Sequence, residues 1–255
     1  MCMIFGLSAL QDTETNEYLK AFYSHSTEHP HGWGQAVLRQ DSALIEKESL
    51  EASKSNYLRE RLSVPVRARL LLAHIRYATV GHVAYCNCHP FSGTDASGRR
   101  WTLTHNGTIF DCPALSKYFS EQTGETDSER ILLCLLDRIN AAQREKPLSF
   151  DARFALLDAL ISEMAAGNKL NLMLSDGRDL YVHTNCRDTL YCLEKENAAL
   201  FSTVPLTNED WRPAPFTTLL AYRDGKRVKT GTDHGCEYTE DPEHLKFLYQ
   251  IFSEL

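Results

Sequence analysis

The chain has 255 residues, 43% of them apolar, with a formal charge of -7 and a sequence pI of about 5.8. That is enough apolar material for a substantial core, and one domain over residues 1–255 is expected. Lys and Arg are scattered among acids, which excludes a basic stripe for nucleic acid or an anionic membrane, and no segment is long and apolar enough to span a bilayer.

Residues 2–10 read as a buried strand, because Ile4, Phe5 and Leu7 crowd together with no helix cap before them. The same segment lacks a basic n-region and runs into Gln11 and Asp12, unlike a signal peptide. A short helix is expected over 16–23, then a turn at His29-Pro30-His31-Gly32-Trp33-Gly34 and a strand through Ala36, Val37 and Leu38. A helical stretch near 55–62 is followed by a strand over 69–77. Another strand, 101–105, ends in Asn106-Gly107.

Thr126-Asp127-Ser128-Glu129 introduces a helix with Ile131, Leu132, Leu135, Leu136 and Ile139 at helical spacing. A second helix over 150–165 carries Phe154, Leu157, Leu160 and Ile161 on one face and ends near Gly167. From Lys169 onward the pattern is short strands at 170–174, 180–183, 190–193, 200–203, 217–222 and 227–230, with turns at Asp176-Gly177 and Asp224-Gly225. A tail helix is expected after Pro242. Strands, then helices, then strands describe an α+β layered fold with helices outside stacked sheets. The eight cysteines, at 2, 86, 88, 112, 134, 186, 192 and 236, sit in a chain too large to need disulfide staples, so reduced thiols in the cytoplasm are expected.

Cys2 is either a small buried apolar residue or, once Met1 is removed, a nucleophile that also bears a free α-amine. The amine, with a pKa of about 7.7 to 8.0, can take the proton of a thiol whose pKa is about 8.5, directly or through a water. Arg76 offers a planar fork for a substrate carboxylate, or belongs to a structural ion pair. Asn106-Gly107 reads as a hairpin turn or as an oxyanion hole, with the Asn106 amide and the Gly107 N–H as two donors. Asp127 caps its helix or holds a substrate ammonium. His82, Cys86, Cys88 and His89 lie within eight residues, but Cys-x-Cys-His lacks the usual zinc-knuckle spacing.

Taken together, the motifs resemble the class II, N-terminal-nucleophile glutamine amidotransferases. They are Cys2 in Met-Cys-Met-Ile-Phe-Gly, Gly32-Trp33-Gly34, His74-x-Arg76-x-Ala78-Thr79-x-Gly81, Asn87-x-His89-Pro90-Phe91, His105-Asn106-Gly107 and Thr126-Asp127-Ser128-Glu129. The resemblance is specific from residue 2 to about 130, more diffuse over 170–177 and weak after about 205. It implies a four-layer αββα sandwich, two antiparallel sheets between helices, with a glutamine pocket at the buried N-terminus. No metal and no other cofactor is implied.

Carried over residue by residue, the resemblance makes Cys2 the nucleophile and Asn106 and Gly107 the oxyanion hole. Arg76 becomes the clamp on the α-carboxylate and Asp127 the partner of the α-ammonium. Thr79 and His89 fall at pocket-lining positions, although His89 serves equally well as a core histidine holding the loop before Pro90. The turn before Gly-Trp-Gly carries His31 where the family usually has Asp, a position read as structural or rim-lining.

The expected reaction is hydrolysis of glutamine or a γ-glutamyl amide through a γ-glutamyl thioester on Cys2. The length and the His-x-x-Gly-Trp-Gly turn look most like the small stand-alone branch, which includes γ-glutamyl hydrolases. Two alternatives stand beside it. One is a glutaminase subunit that passes ammonia to a partner protein; the other is a degenerate homologue that only binds.

Overall fold

The computed structural model describes residues 2–40, 42–144, 146–242, 244 and 246. Side-chain alternation decides the architecture. The first strand, β1 (Met3–Glu14), turns Met3, Phe5 and Leu7 to one side and Ile4 to the other, and all four are buried. A strand apolar on both faces has to be covered on both.

The chain continues through α1 (Asn16–Tyr23), β2 (Trp33–Leu38), β3 (Ala43–Glu48), α2 (Asn56–Arg61), β4 (Arg67–Ile75), β5 (Phe91–Thr94) and β6 (Arg100–Thr108). Then come α3 (Asp127–Ala142), α4 (Phe150–Ala165), β7 (Lys169–Ser175), β8 (Leu180–His183), β9 (Tyr191–Glu194), β10 (Ala198–Ser202), β11 (Arg212–Pro213), β12 (Thr218–Arg223) and β13 (Lys226–Asp233). One seven-stranded sheet runs β11-β9-β10-β1-β4-β2-β3 and one six-stranded sheet runs β13-β12-β8-β7-β6-β5. The strand pairs are antiparallel in both.

Three apolar clusters show the four layers. Phe5, Leu7 and Leu71 pack under Leu19, Phe22 and Leu58 from α1 and α2. Ile4, Leu70 and Leu72 face Met173, Leu180 and Val182 between the sheets. Trp101, Leu103 and Leu172 pack against Ile131, Leu135, Phe154 and Leu157 from α3 and α4. The fold is the expected αββα sandwich.

Several boundaries differ from expectation. The first strand runs on to Glu14, because its polar end overhangs as an exposed extension paired to β4 at Thr13 and Glu14. Trp33 and Gly34 begin β2 and are not part of the preceding turn. Strands β3, β5 and β11 have no counterpart in the expected elements; each lies at the edge of a sheet, where the alternating signal is weak. Asn106-Gly107 is not a hairpin turn: both residues lie inside β6, opposite Asn171 and Leu170. The expected tail helix falls largely outside the described residues. Among those described, no helix is long and apolar enough to cross a membrane.

Candidate active site

The alternation that builds the sandwich also gathers the chemistry. On β4, Leu70 and Leu72 face the inter-sheet layer, so His74 and, one residue past the strand, Arg76 point the same way. The parity of Ile4 places Cys2 on that face of β1, which pairs with β4 through Met3 opposite Ile75. In the opposite sheet Trp101 and Leu103 face the helices, so Asn106 points inward. Cys2, Arg76 and Asn106 therefore share one end of the inter-sheet layer.

The Cys2 side chain is half-buried against the Tyr77 peptide. Its thiol donates to the Tyr77 carbonyl at 3.2 Å, and the Tyr77 N–H reaches the sulfur at 3.3 Å. Burial pushes the thiol pKa above its ordinary value; the Tyr77 backbone contact and the Arg76 charge pull the other way, and the Asp127 carboxylate adds to the rise. Arg76 and Asp127 both act on this sulfur, which puts their charges around it.

Arg76 is 2% exposed and holds the loop that follows it, donating from Nη1 to the His82 carbonyl at 3.0 Å and from Nη2 to the Val80 and Gly81 carbonyls at 2.9 and 2.8 Å. A guanidinium has five N–H donors, so this loop does not exhaust it. Thr79 is half-buried within the same loop. Asp127 is 5% exposed and is the first residue of α3; the N-cap is Thr126, whose hydroxyl accepts from the Glu129 N–H at 3.2 Å. The Asp127 carboxylate instead accepts from the Ile109 and Ser128 N–H groups, each at 2.8 Å. Among the described residues neither Arg76 nor Asp127 forms an ion pair.

Asn106 and Gly107 stand on a constrained strand. The Asn106 Oδ1 is buried with no hydrogen-bond partner among the described residues. A Cβ on Gly107 would lie 1.9 Å from the Lys169 carbonyl oxygen and 2.5 Å from His105 Nε2, so glycine is required. The His105 ring behind it sits 3.3 Å from the Lys169 carbonyl through Nε2 and 3.0 Å from Ser128 Oγ through Nδ1. A carbonyl only accepts, so Nε2 carries the proton and Nδ1 accepts the hydroxyl. Burial depresses the His105 pKa, in keeping with that neutral ring.

His89 is 3% exposed, stacks on His74 with ring centroids 3.9 Å apart, and meets Phe91 edge-on at 4.7 Å. Its carbonyl fixes the neighbouring strand: a Cβ on Gly34 would meet the His89 oxygen at 2.0 Å. This is the geometry of the core-histidine alternative. Burial, and then the charge of His74, hold the His89 pKa well below the usual range.

Around this end are braces that the sequence showed only in part: the His31 position was read as structural or rim-lining, and Asn87 was given no role. His31 Nδ1 accepts from the Ala78 N–H at 2.9 Å, and the His31 N–H donates to the Arg76 carbonyl at 3.0 Å. The fully buried Asn87 donates to the His82 carbonyl and Glu125 Oε2 and accepts from the Glu125 N–H at 2.8 Å. It thereby ties the Arg76 loop to the segment leading into Asp127. The only sequence signal for Asn87 was its place in the Asn-x-His-Pro-Phe motif. Cys88 turns its sulfur to the Glu48 and Ala84 carbonyls at 3.4 Å. Among the described residues no three His, Cys, Asp or Glu side chains gather as metal ligands.

Comparison with known proteins gives the family and the fold. The family described as class-II glutamine amidotransferases matches residues 1–197. The putative glutamine amidotransferase YafJ of Escherichia coli is 28% identical over 213 residues, covering 82% of each chain. A structure described as a predicted glutamine amidotransferase from Pseudomonas aeruginosa superposes with a TM-score of 0.63 at 22% identity, covering 89% of this chain and all of that one. The glutamine phosphoribosylpyrophosphate amidotransferase of B. subtilis gives 0.65 at 16% identity, covering 90% of this chain and 48% of that one.

Proposed function

Because the chain belongs to the class II glutamine amidotransferases, we propose that it hydrolyses the γ-amide of glutamine or of a γ-glutamyl amide through a γ-glutamyl thioester on Cys2. The observation that carries this reading is the pair of buried opposite charges, Arg76 and Asp127, neither of them ion-paired among the described residues. A buried charge without a partner is costly. An α-amino acid supplies both missing partners in one ligand, carboxylate to Arg76 and ammonium to Asp127.

With the amino-acid end held, the γ-carbonyl reaches Cys2. The α-amine of Cys2, free once Met1 is removed, takes the thiol proton and the sulfur adds to the carbonyl carbon. The Asn106 amide and Gly107 N–H carry the oxyanion, and one such donor is worth about 2.7 to 4 kcal/mol. The tetrahedral intermediate collapses, the amine returns the proton to the departing nitrogen, and ammonia or a larger amine leaves. Water then adds to the thioester, releasing glutamate and the thiol. Thr79 lines the amino-acid pocket and His89 holds the wall behind it.

The recognised end of the substrate is the part that does not change, so the leaving amine is free to vary. The test is to incubate mature protein with glutamine and a panel of γ-glutamyl amides and identify the released amine by mass spectrometry. Release from at least one compound, lost in Cys2→Ala, is expected; no turnover of any of them overturns the reading.

A further inference from the structure

A concave site lies away from Cys2, toward the other end of β4. It is a cavity of about 560 Å³, within the usual range of small-molecule sites, whose lining includes Arg39, Arg67, Arg69 and Arg178. Leu70, which also lines it, is six residues before Arg76 on the β4 path, about 20 Å of extended chain. The cavity is therefore separate from the catalytic end.

Its charges are unevenly satisfied. Arg69 pairs with Asp224 at 2.6 Å and Arg67 meets Glu14 at 3.5 Å. Asp12 also lines the cavity. Arg39 and Arg178 are exposed and have no ion pair among the described residues, which leaves the lining with an excess of positive charge in a chain whose net charge is -7.

The two turns that carry these arginines are held in a fixed relation. Gly177 packs so closely on the Arg39–Gln40 backbone that a Cβ would lie 2.9 Å from both carbonyl oxygens. The next turn residues are locked by the buried Asp176, whose Oδ1 accepts from the Arg178 and Asp179 N–H groups at 3.1 and 2.8 Å. Asp176 Oδ2 is in turn paired with Arg153 at 3.0 Å and Arg99 at 3.3 Å. Beneath the charges lie the buried side chains of Leu38 and Leu70, which share the inter-sheet face. Two guanidinium groups carried on fixed turns beside an apolar floor match a compact dianion attached to an apolar body.

We propose that this cavity binds a small phosphorylated molecule, with its phosphate held by Arg39 and Arg178 and its body resting on Leu38 and Leu70. The site is independent of the hydrolysis proposed above. Titration calorimetry of the full chain at low ionic strength, with phenyl phosphate, inorganic phosphate and benzoate, tests it. Saturable one-to-one binding is expected for phenyl phosphate, weaker binding for inorganic phosphate and the weakest for benzoate. The double variant Arg39→Ala, Arg178→Ala weakens phenyl phosphate by about tenfold or more, Asp12→Asn tightens it, and Cys2→Ala leaves it unchanged. Absence of saturable binding, indifference to the arginine and Asp12 variants, or benzoate matching phenyl phosphate overturns the assignment.

Discussion

The His31 ring nitrogen Nδ1 accepts the Ala78 backbone N–H at 2.9 Å, fastening the turn before β2 to the loop that carries Arg76 and Thr79. Burial and the Arg76 charge lower the His31 pKa, so the ring stays neutral and Nδ1 keeps the lone pair that this bond needs. The position needs an acceptor, which is why an Asp elsewhere in the family and a His here are compatible. His31→Ala should lower stability by about 0.5 to 1.5 kcal/mol and reduce kcat, whereas His31→Asp recovers most of both. Urea denaturation and glutaminase assays on the pair check this; an inactive His31→Asp would point to a role for the ring itself.

Cys2→Ala should cut turnover by about four orders of magnitude or more while the melting temperature stays near that of the parent, since the side chain is only half-buried. In chain that retains Met1, the raised thiol pKa means that the alkylation rate of Cys2 by iodoacetamide should still be climbing at pH 9, the ordinary value. A plateau below pH 8 would show a thiol activated before any amine is exposed. Intact mass of the active fraction should lack the initiator methionine.

Asp127→Asn removes a buried charge and keeps an acceptor for only one of the Ile109 and Ser128 N–H groups. KM for glutamine should rise about tenfold or more, with a smaller change in kcat and a modest fall in melting temperature from the lost backbone acceptor. A fall in kcat at constant KM would move Asp127 from binding to chemistry.

The two positions proposed as the oxyanion hole should fail in different ways. Asn106→Ala lowers kcat by about a hundred- to a thousandfold with the fold intact. Gly107→Ala forces a methyl to within 1.9 Å of the Lys169 carbonyl oxygen and has to spread β6 from β7, so its loss appears as lowered stability or insoluble protein. Circular dichroism melts separate the two outcomes.

His183, whose ring meets the carbonyl of Leu170 opposite Gly107, sets a pH dependence of stability. Its Nδ1 donates to the Leu170 carbonyl at 2.7 Å, so its Nε2 accepts from His234 Nε2 at 2.9 Å, and His234 Nδ1 accepts from the Cys236 N–H at 3.0 Å. Burial, and then the His234 charge, lower the His183 pKa from 6.5 to about 3. The unfolded chain binds this proton first, so the contribution is complete above pH 6.5 and is lost as pH falls from 6.5 toward about 3. Urea midpoints measured across that window should fall with acid, and His183→Gln should flatten part of the slope.

Much of the fold was legible because its long elements bury one regular face. The helices at Asn16–Tyr23 and Phe150–Ala165 lie where they were expected, and α3 begins within the expected Thr126–Glu129 segment, with Thr126 as its cap in place of Asp127. The edge strand β3 has only one buried residue, Glu46, and no apolar alternation, so its strand character comes from pairing with β2. The site was legible as motifs and not as mechanics. His31 and Ala78 are 47 residues apart, and Asn87 and Glu125 are 38 apart; neither pairing leaves a local pattern in the sequence.

The central position of β1 bears on how the protein is made. Phe5 pairs with Ala73 on one side and with Ser202 on the other, so β1 gains its second partner strand only after β10 has left the ribosome. At about 5–20 residues per second, that delay is roughly 10–40 s. During it the segment that carries Cys2 is still outside a finished sheet and open to an enzyme that trims the chain back to Cys2. A fused amino-terminal affinity tag would occupy the same place permanently, so recombinant protein intended for activity is better tagged elsewhere.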